Sequence, residues 1–233
     1  MAHLNVLISG GFSGAYEKLL PEFIAANGVE VATGSGASQG AGPQTIAAQL
    51  ARGVPADVVI LSREGLDDLI AANRIVAGSG VDLAQVGLGV AVRSGAPKPD
   101  VSTVEAFKHI VLTARIVAVP ASTSGIWLTE NLFPRLGVAG KIEVRKTPRG
   151  SDAAAMVAAG GAALAVMPDS EIKVAPGVDF VGSLVPEIQF MQVFSAAVAA
   201  GSGAIDISRR LIDFLASPRA AEAIKNSGME PLH

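Results

Sequence analysis

The stretch Val6-Leu7-Ile8-Ser9-Gly10-Gly11-Phe12-Ser13-Gly14 decides the fold, because it leads from a short apolar run through a Ser/Gly-rich turn into a helix. The same order recurs from 29–31 into 33–40, from 116–119 into 121–125, and from 142–144 into 149–152. A helix that begins in such a turn presents unpaired backbone N–H groups, which stabilise an anion without a lysine. Four such turns in one chain predict a binding cleft.

The composition excludes several classes of function. Of 233 residues, 50% are hydrophobic and 17% are charged, so the chain can bury a sizeable core. A net charge of −3, with no basic stripe and only 4% aromatic residues, gives no basis for nucleic-acid binding. Cysteine is absent and the three histidines are far apart in sequence, so we expect no metal and no cofactor. The longest apolar run, 193–200, is too short for membrane insertion.

Strand and helix patterns alternate along the chain. Strands near 4–8, 29–31 and 58–61 are each followed by a helix, the first over 16–26 and the second over 43–51, which begins at Pro43. This order predicts a parallel sheet covered by helices. A second α/β unit follows, bracketed by two apolar runs: a strand over 86–92 and a segment over 189–200.

We therefore expect an α/β protein of two lobes, each a mostly parallel sheet flanked by helices. Lobe 1 would combine 1–84 with 196–233, and lobe 2 would span 85–195. The chain would cross between the lobes near 85–93 and 187–197.

Several short motifs follow one another in an order that is typical of one family. They are Ser9-Gly10-Gly11-Phe12, Gly34-Ser35-Gly36-Ala37-Ser38, Pro55-Ala56-Asp57-Val58 and the ending Gly228-Met229-Glu230-Pro231-Leu232. In this order they resemble the type 2 periplasmic-binding-protein family, and within it the molybdate-binding proteins. The segments 36–40, 50–53, 90–97, 132–137 and 193–196 are similar to a narrower branch that includes aconitate isomerase.

The resemblance implies which positions contact a ligand, because the molybdate-binding proteins hold their oxyanion with hydroxyls and backbone N–H groups of Ser-rich turns. The expected ligand-binding residues are Ser9, Gly10, Gly11, Phe12, Ser35, Gly36, Ala37, Ser38, Ser122, Thr123, Ser124, Gly125, Ser151 and Met167. The ligand-binding tyrosine of those proteins has no counterpart, since Met167-Pro168-Asp169 stands at that point.

Charged side chains near the predicted strand ends supply further candidates. Arg63 follows a strand and Arg149 precedes a helix, so each can reach a ligand carboxylate with two parallel hydrogen bonds. Asp169 and Glu171 follow a strand in the second unit. They are either a helix N-cap with a first-turn acid, or groups that transfer a proton. Asp57 is interpreted as a structural residue before a buried strand.

Three functions fit these features. The first is a ligand-binding protein that closes on a small anion, a di- or tricarboxylate, and needs only the turns and the arginines. The second is a cytoplasmic isomerase of the aconitate isomerase type, which needs a proton-transferring group as well. The third is a molybdate or tungstate transport receptor without its leader, whose partner would be an ABC transporter.

The N-terminal residues show no signal-peptide pattern, so we expect a cytoplasmic protein, or a periplasmic one if a signal peptide was removed.

Overall fold

The computed structural model describes residues 2–233. The chain divides into two compact units, the first spanning Met1–Gln85 and Val193–His233 along the sequence, and the second Val86–Gln192. The two units therefore meet in sequence at 85/86 and 192/193, whereas the expected boundaries are 84/85 and 195/196.

The elements alternate between strands and helices for most of the chain. The strands are β1 Ala2–Ile8, β2 Val29–Ser35, β3 Val58–Ser62, β4 Val81–Val86, β5 Leu88–Arg93, β6 Ile116–Pro120, β7 Glu143–Thr147, β8 Leu164–Pro168, β9 Val178–Ser183, β10 Gln192–Val198 and β11 Glu230–Pro231. The α-helices are α1 Gly10–Asn27, α2 Ile46–Ala51, α3 Arg63–Ala71, α4 Val104–Ala114, α5 Thr123–Trp127, α6 Phe133–Arg135, α7 Gly150–Ala158, α8 Asp169–Val174, α9 Ile205–Leu215 and α10 Ala221–Asn226.

The sheet of the first unit has the strand order β11-β4-β10-β3-β1-β2. Strand β1 runs parallel to both β2 and β3, with Ile8 opposite Ser35 on one side and opposite Ile60 on the other. Strand β10 is antiparallel to β3, and β11 is antiparallel to β4. Because β1, β2 and β3 are parallel neighbours, the turns that follow them lie at one edge of this sheet.

The sheet of the second unit has the order β7-β6-β8-β5-β9. Strand β6 is parallel to β7 and β8, whereas β5 is antiparallel to β8 and β9. The turns after β6, β7 and β8 therefore also share one edge. Each sheet is mixed, with three parallel strands on one side and antiparallel strands on the other, rather than mostly parallel. Two sheets flanked by helices confirm the predicted two-lobed α/β fold.

Apolar burial on the predicted faces holds each unit together. In α1 the side chains of Phe12, Tyr16, Leu19 and Phe23 are buried, and the Tyr16 hydroxyl is paired with Thr33 Oγ1 at 2.9 Å. In the second unit, β5, β6 and β8 contribute wholly buried valines and a leucine to a core that also contains Phe107 of α4. Burial of such side chains is the main stabilising contribution to folding.

Two local predictions are wrong. Helix α2 begins at Ile46, not Pro43, because the Thr45 side chain accepts a hydrogen bond from the Ala48 N–H and acts as the N-cap. The strand expected over 86–92 is split at Gly87 between β4 and β5, which belong to different sheets. Gln189 explains the break: its side chain bonds both backbone groups of Leu88, and a Cβ on Gly87 would lie 2.7 Å from Gln189 Nε2.

Candidate functional site

The turn after β1 carries a serine whose hydroxyl is unused. Ser9 is the N-cap of the 18-residue helix α1, and its backbone N–H donates to Ile60 O at 2.8 Å. Its Oγ is buried and has no hydrogen-bond partner within residues 2–233. Gly10 and Gly11 form the first turn of α1, and Phe12 is wholly buried in the core. Ser9 is therefore suited to donate to an anion, whereas Phe12 stabilises the helix position.

The turn after β2 is fixed by hydrogen bonds within the first unit. Gly36 N–H donates to Ile8 O, and Gln49 Nε2 donates to Ser35 O at 3.0 Å. A Cβ on Gly36 would lie 2.7 Å from that same amide nitrogen, which explains the glycine. Ala37 is buried, and Ser38 Oγ accepts the Ser62 N–H at 2.9 Å. Ser38 thus joins this turn to the end of β3.

The turn after β3 brings the predicted arginine to the same edge. Arg63 lies in an ion-pair network, 2.9 Å from Asp67 and 3.2 Å from Asp82, and Ser195 donates to the same Asp82 oxygen at 2.6 Å. The hydrogen bond to Asp67 is the main reason that the Arg63 pKa is raised. A ligand carboxylate at Arg63 would compete with two carboxylates of the protein itself.

Glu64, the next residue of α3, is a candidate that the sequence patterns did not indicate. Its Oε2 is buried without a hydrogen-bond partner among the described residues, and burial raises the pKa of this carboxyl. Its position in the first turn of a helix, after the N-cap Ser62, is the only signal that the sequence offers.

In the second unit, the turn after β6 is closely packed. Ser122 is the N-cap of α5, and Thr123 and Ser124 are buried. A Cβ on Gly125 would lie 1.7 Å from Pro120 O, so only glycine fits this approach of helix to strand. The helical path then widens into a π-helical turn, Leu128–Leu132. Such turns are frequent at functional sites.

The turn after β7 brings a second-unit helix N-terminus against a carboxyl group. Arg149 is the N-cap of α7 and is paired with Asp152 at 3.3 Å, whereas Ser151 is exposed. A Cβ on Gly150 would lie 2.1 Å from Glu171 Oε2, so the carboxyl group of Glu171 rests on the first residue of α7. Burial raises the pKa of Glu171 to about 7, although the positive charge of Arg149 acts in the opposite direction.

The turn after β8 contains three consecutive polar residues. Asp169 begins α8, and its Oδ2 accepts the Ser183 hydroxyl at 2.5 Å. Asp169 Oδ1 and Ser170 Oγ are buried with no hydrogen-bond partner in the part of the chain that the structure describes. Burial also raises the pKa of Asp169. Glu171 follows in the same helical turn, so this edge concentrates acidic groups that gain a proton easily.

Met167, like Phe12, is a predicted site residue whose side chain the structure places in a core. Its side chain is wholly buried in the alanine-rich core beside Ala118, Ala153 and Ala165. Side chains alternate between the two faces of strand β8, and Met167 lies on the face that packs against this alanine-rich core. Direct contact of this side chain with a ligand is therefore not supported.

Two other interpretations can be compared with the structure. Asp57 accepts hydrogen bonds from Asn5 N–H at 2.8 Å and from the Ser202 hydroxyl at 2.7 Å, which agrees with a structural role. Within residues 2–233, no group of three His, Cys, Asp or Glu side chains is arranged to hold a metal ion. Over the same residues, no helix is both long and apolar enough to cross a membrane.

Comparison with known proteins identifies the family. The profile of the bacterial extracellular solute-binding proteins matches residues 4–230, and the chain belongs to this family. Aconitate isomerase from a Pseudomonas species is 39% identical over 231 residues, which are 98% of this chain and 88% of that protein.

Solved structures share the fold at low sequence identity. The sulfate-binding protein SubI from Mycobacterium tuberculosis has a TM-score of 0.75 and 19% identity, covering 100% of this chain and 88% of that one. The periplasmic molybdate-binding protein from Azotobacter vinelandii has a TM-score of 0.70 and 20% identity, covering 97% and 98%. The resemblance to molybdate-binding proteins and to the aconitate isomerase branch is confirmed. A role in ligand binding or isomerisation follows from it.

Proposed function

We propose that this solute-binding family member is an isomerase of a small tricarboxylate of the aconitate type, which moves a carbon–carbon double bond by an allylic proton shift. The observation that carries the proposal is Glu171, a half-buried residue whose carboxyl group lies against the N-terminus of α7 and has a pKa of about 7. A group that titrates near neutrality both accepts and returns a proton efficiently. The 39% identity to aconitate isomerase supports the same reaction.

The proton shift balances with one acid/base group. The Glu171 carboxylate removes a proton from the substrate methylene that lies next to the double bond. The electron pair left on that carbon forms the new double bond, while the old one becomes a carbanion delocalised onto a substrate carboxylate. The protonated Glu171 then returns its proton to the other end of the three-carbon unit. Double-bond migration that ends on the other geometric isomer interconverts trans- and cis-aconitate, with no redox change.

The Ser/Gly turns would supply the binding energy. Backbone N–H groups and hydroxyls at the starts of α5 and α7, in the same unit as Glu171, are suited to the substrate carboxylates. Arg149, near Glu171, would attract one carboxylate and stabilise the negative charge that develops in the carbanion. These donors are fixed by the fold, so they need little reorganisation during reaction.

Glu171 fits the acid/base role better than Asp169 does. Asp169 is held by the Ser183 hydroxyl on one oxygen and by the close approach of Gly89 on the other, where a Cβ would lie 2.1 Å away. The Glu171 side chain is longer, and its carboxyl group makes no hydrogen bond with another side chain of residues 2–233, so its close contact with Gly150 is its main constraint. A proton-transferring group must reach the substrate carbon, which favours the less constrained carboxyl.

A proton NMR time course with trans-aconitate tests the proposal. The wild-type protein should produce cis-aconitate signals, and Glu171→Gln should reduce the rate by roughly 10²–10⁴-fold while substrate binding persists. Glu130→Gln, at an exposed glutamate of the same unit, is the matched control.

The wild-type kcat/KM should fall as the pH drops below about 7, because protonation removes the base. Equal rates for wild type and Glu171→Gln would refute the assignment of the base.

Ligand binding without catalysis is the second candidate. The observation in its favour is the turn after β1, where the start of the 18-residue helix α1 and the buried Ser9 hydroxyl are suited to an anion without any titrating group. Broadened trans-aconitate signals with no product would support this function for a tricarboxylate. If the aconitate signals stay unchanged and molybdate instead quenches or shifts the fluorescence of Trp127, the sole tryptophan, an oxyanion receptor becomes the better proposal, with a transporter as its partner.

A further inference from the structure

The second unit contains an apolar hollow at the sheet edge opposite to its Ser/Gly turns. The hollow measures about 350 Å³ and is lined by Val92, Pro97, Ile110, Ala114 and Leu164, among others, with Arg93, His109 and Thr113 as its polar residues. Val92, next to the last residue of β5, lies opposite Leu164, the first residue of β8, whereas the candidate acids follow the last residue of β8. The hollow is therefore separated from those acids by the length of the strand.

Arg93 gives this hollow its chemical character. The Arg93 side chain is exposed, and it makes no hydrogen bond or ion pair with any side chain or backbone group of residues 2–233. A second hollow of about 350 Å³, with Ile116 and Val157 in its lining, also borders Arg93. An unpaired guanidinium between apolar surfaces is complementary to a carboxylate that carries an apolar body.

Hydrogen bonds within the protein hold one wall of the hollow in place before any ligand binds. Asp179 accepts the Ser94 hydroxyl at 3.0 Å and the Gly95 N–H at 2.9 Å, which anchors the turn between β5 and the proline-containing segment. These hydrogen bonds satisfy the Asp179 carboxylate and hold its pKa below the usual range. Because the turn is already ordered, little conformational entropy is lost when a ligand binds.

We propose that this hollow is a second binding site, distinct from the site of the proposed isomerase, and that it takes a small amphipathic monocarboxylate. The carboxylate pairs with the Arg93 guanidinium, and the apolar body fills the space between β5, β8 and α4. A cavity near the lower end of the usual ligand range accommodates a chain or ring of about six to ten carbons. Tricarboxylates are excluded, because they would leave charged groups against aliphatic side chains.

Octanoate is the probe, and methyl NMR of the isoleucine, leucine and valine side chains is the readout. Octanoate should shift the methyl signals of Val92, Ile110 and Leu164, and Arg93→Ala should weaken its binding by tenfold or more. Ala114→Leu, which fills the hollow, should abolish those shifts. Arg209→Ala, an exposed arginine of the first unit, is the matched control and should leave binding unchanged. 1-Octanol, which lacks the charge, should bind at least tenfold more weakly than octanoate.

Three results would overturn the proposal. The first is that octanoate leaves the methyl signals of the hollow unshifted. The second is equal binding of octanoate and 1-octanol, which would indicate apolar contact alone. The third is displacement of octanoate by trans-aconitate, which would place it in the first site. Isomerisation by Arg93→Ala should equal that of the wild type, so failure of this proposal is distinguishable from failure of the proposed isomerase.

Discussion

The two sheet edges that carry the Ser/Gly turns differ in how their charged groups are used. At the edge of the first unit, Arg63 is paired with Asp67 and Asp82. At the edge of the second unit, Asp169 and Glu171 are carboxyls whose pKa values are raised by burial. The first edge also has a carboxyl with a raised pKa, Glu64, but its arginine is neutralised by ion pairs within the protein, and these pairs stabilise the edge. The second edge holds Glu171, whose pKa of about 7 suits it to proton exchange near neutral pH.

The sharpest test of this contrast is Gly150→Ala. The new Cβ would lie 2.1 Å from Glu171 Oε2, and the flexible glutamate must move away. We expect kcat to fall by roughly 10²-fold, because small displacements of a catalytic group are costly, while the stability to urea changes little. Gly201→Ala, where a Cβ meets nothing within 4 Å, is the control. An unchanged kcat would show that the Glu171–Gly150 contact does not matter for catalysis.

The corresponding substitution in the first unit is Gly11→Ala, which should lower the free energy of unfolding. A Cβ on Gly11 would lie 2.0 Å from the ring of Phe194, which is only 1% exposed and has no space to move into. Overpacking of this kind costs about 1–3 kcal/mol of unfolding free energy. Urea denaturation measures it, with Gly42→Ala as the control. If the two variants are equally stable, the packing of α1 on β10 is looser than described.

The raised pKa of Glu171 predicts a pH-dependent stability. The folded protein holds this proton up to about pH 7, whereas an unfolded glutamate loses it near 4.5. The free energy of unfolding therefore declines as the pH rises from 4.5 to about 7. Above this range the carboxyl group is ionised in both states, and the loss of stability is complete. Glu171→Gln should raise the unfolding free energy by about 1–3 kcal/mol more at pH 8 than at pH 4.5. A gain that is the same at both pH values, as expected for Glu130→Gln, would contradict burial of the charge.

The smallest expected effects distinguish the roles of two serines in the first unit, one structural and one in ligand binding. Ser38→Ala removes the acceptor of the Ser62 N–H and should cost about 1 kcal/mol of unfolding free energy. Ser9→Ala removes a hydroxyl without a partner among the described residues, so stability should be maintained. Ligand affinity should instead fall by about 1–2 kcal/mol if Ser9 donates to a bound carboxylate. Titration of both variants with trans-aconitate distinguishes the roles, and equal affinity for Ser9→Ala and the wild type would remove Ser9 from the site.

Much of the architecture follows from local sequence signals. The apolar runs that break into Ser/Gly turns correctly predicted parallel strands followed by helices in both units, because hydrophobic periodicity and turn chemistry act over a few residues. The same reasoning failed at Gly87, where the strand is divided by Gln189, a residue about 100 positions away in sequence. Met167 was named as a ligand-binding residue from the family resemblance, and the structure places its side chain in the core, so its role stays a prediction.

The sequence by itself determined the order of elements, the two-lobed fold and the turns that present helix N-termini. It also named Asp169 and Glu171 as acids, but only the tertiary structure decided their chemistry. A pKa depends on the water that neighbouring segments exclude, and the contact of Glu171 with Gly150 joins turns that follow different strands. The pairing of Arg63 with Asp82 was decided in the same way, since the fold alone brings residues of distant elements within hydrogen-bonding distance.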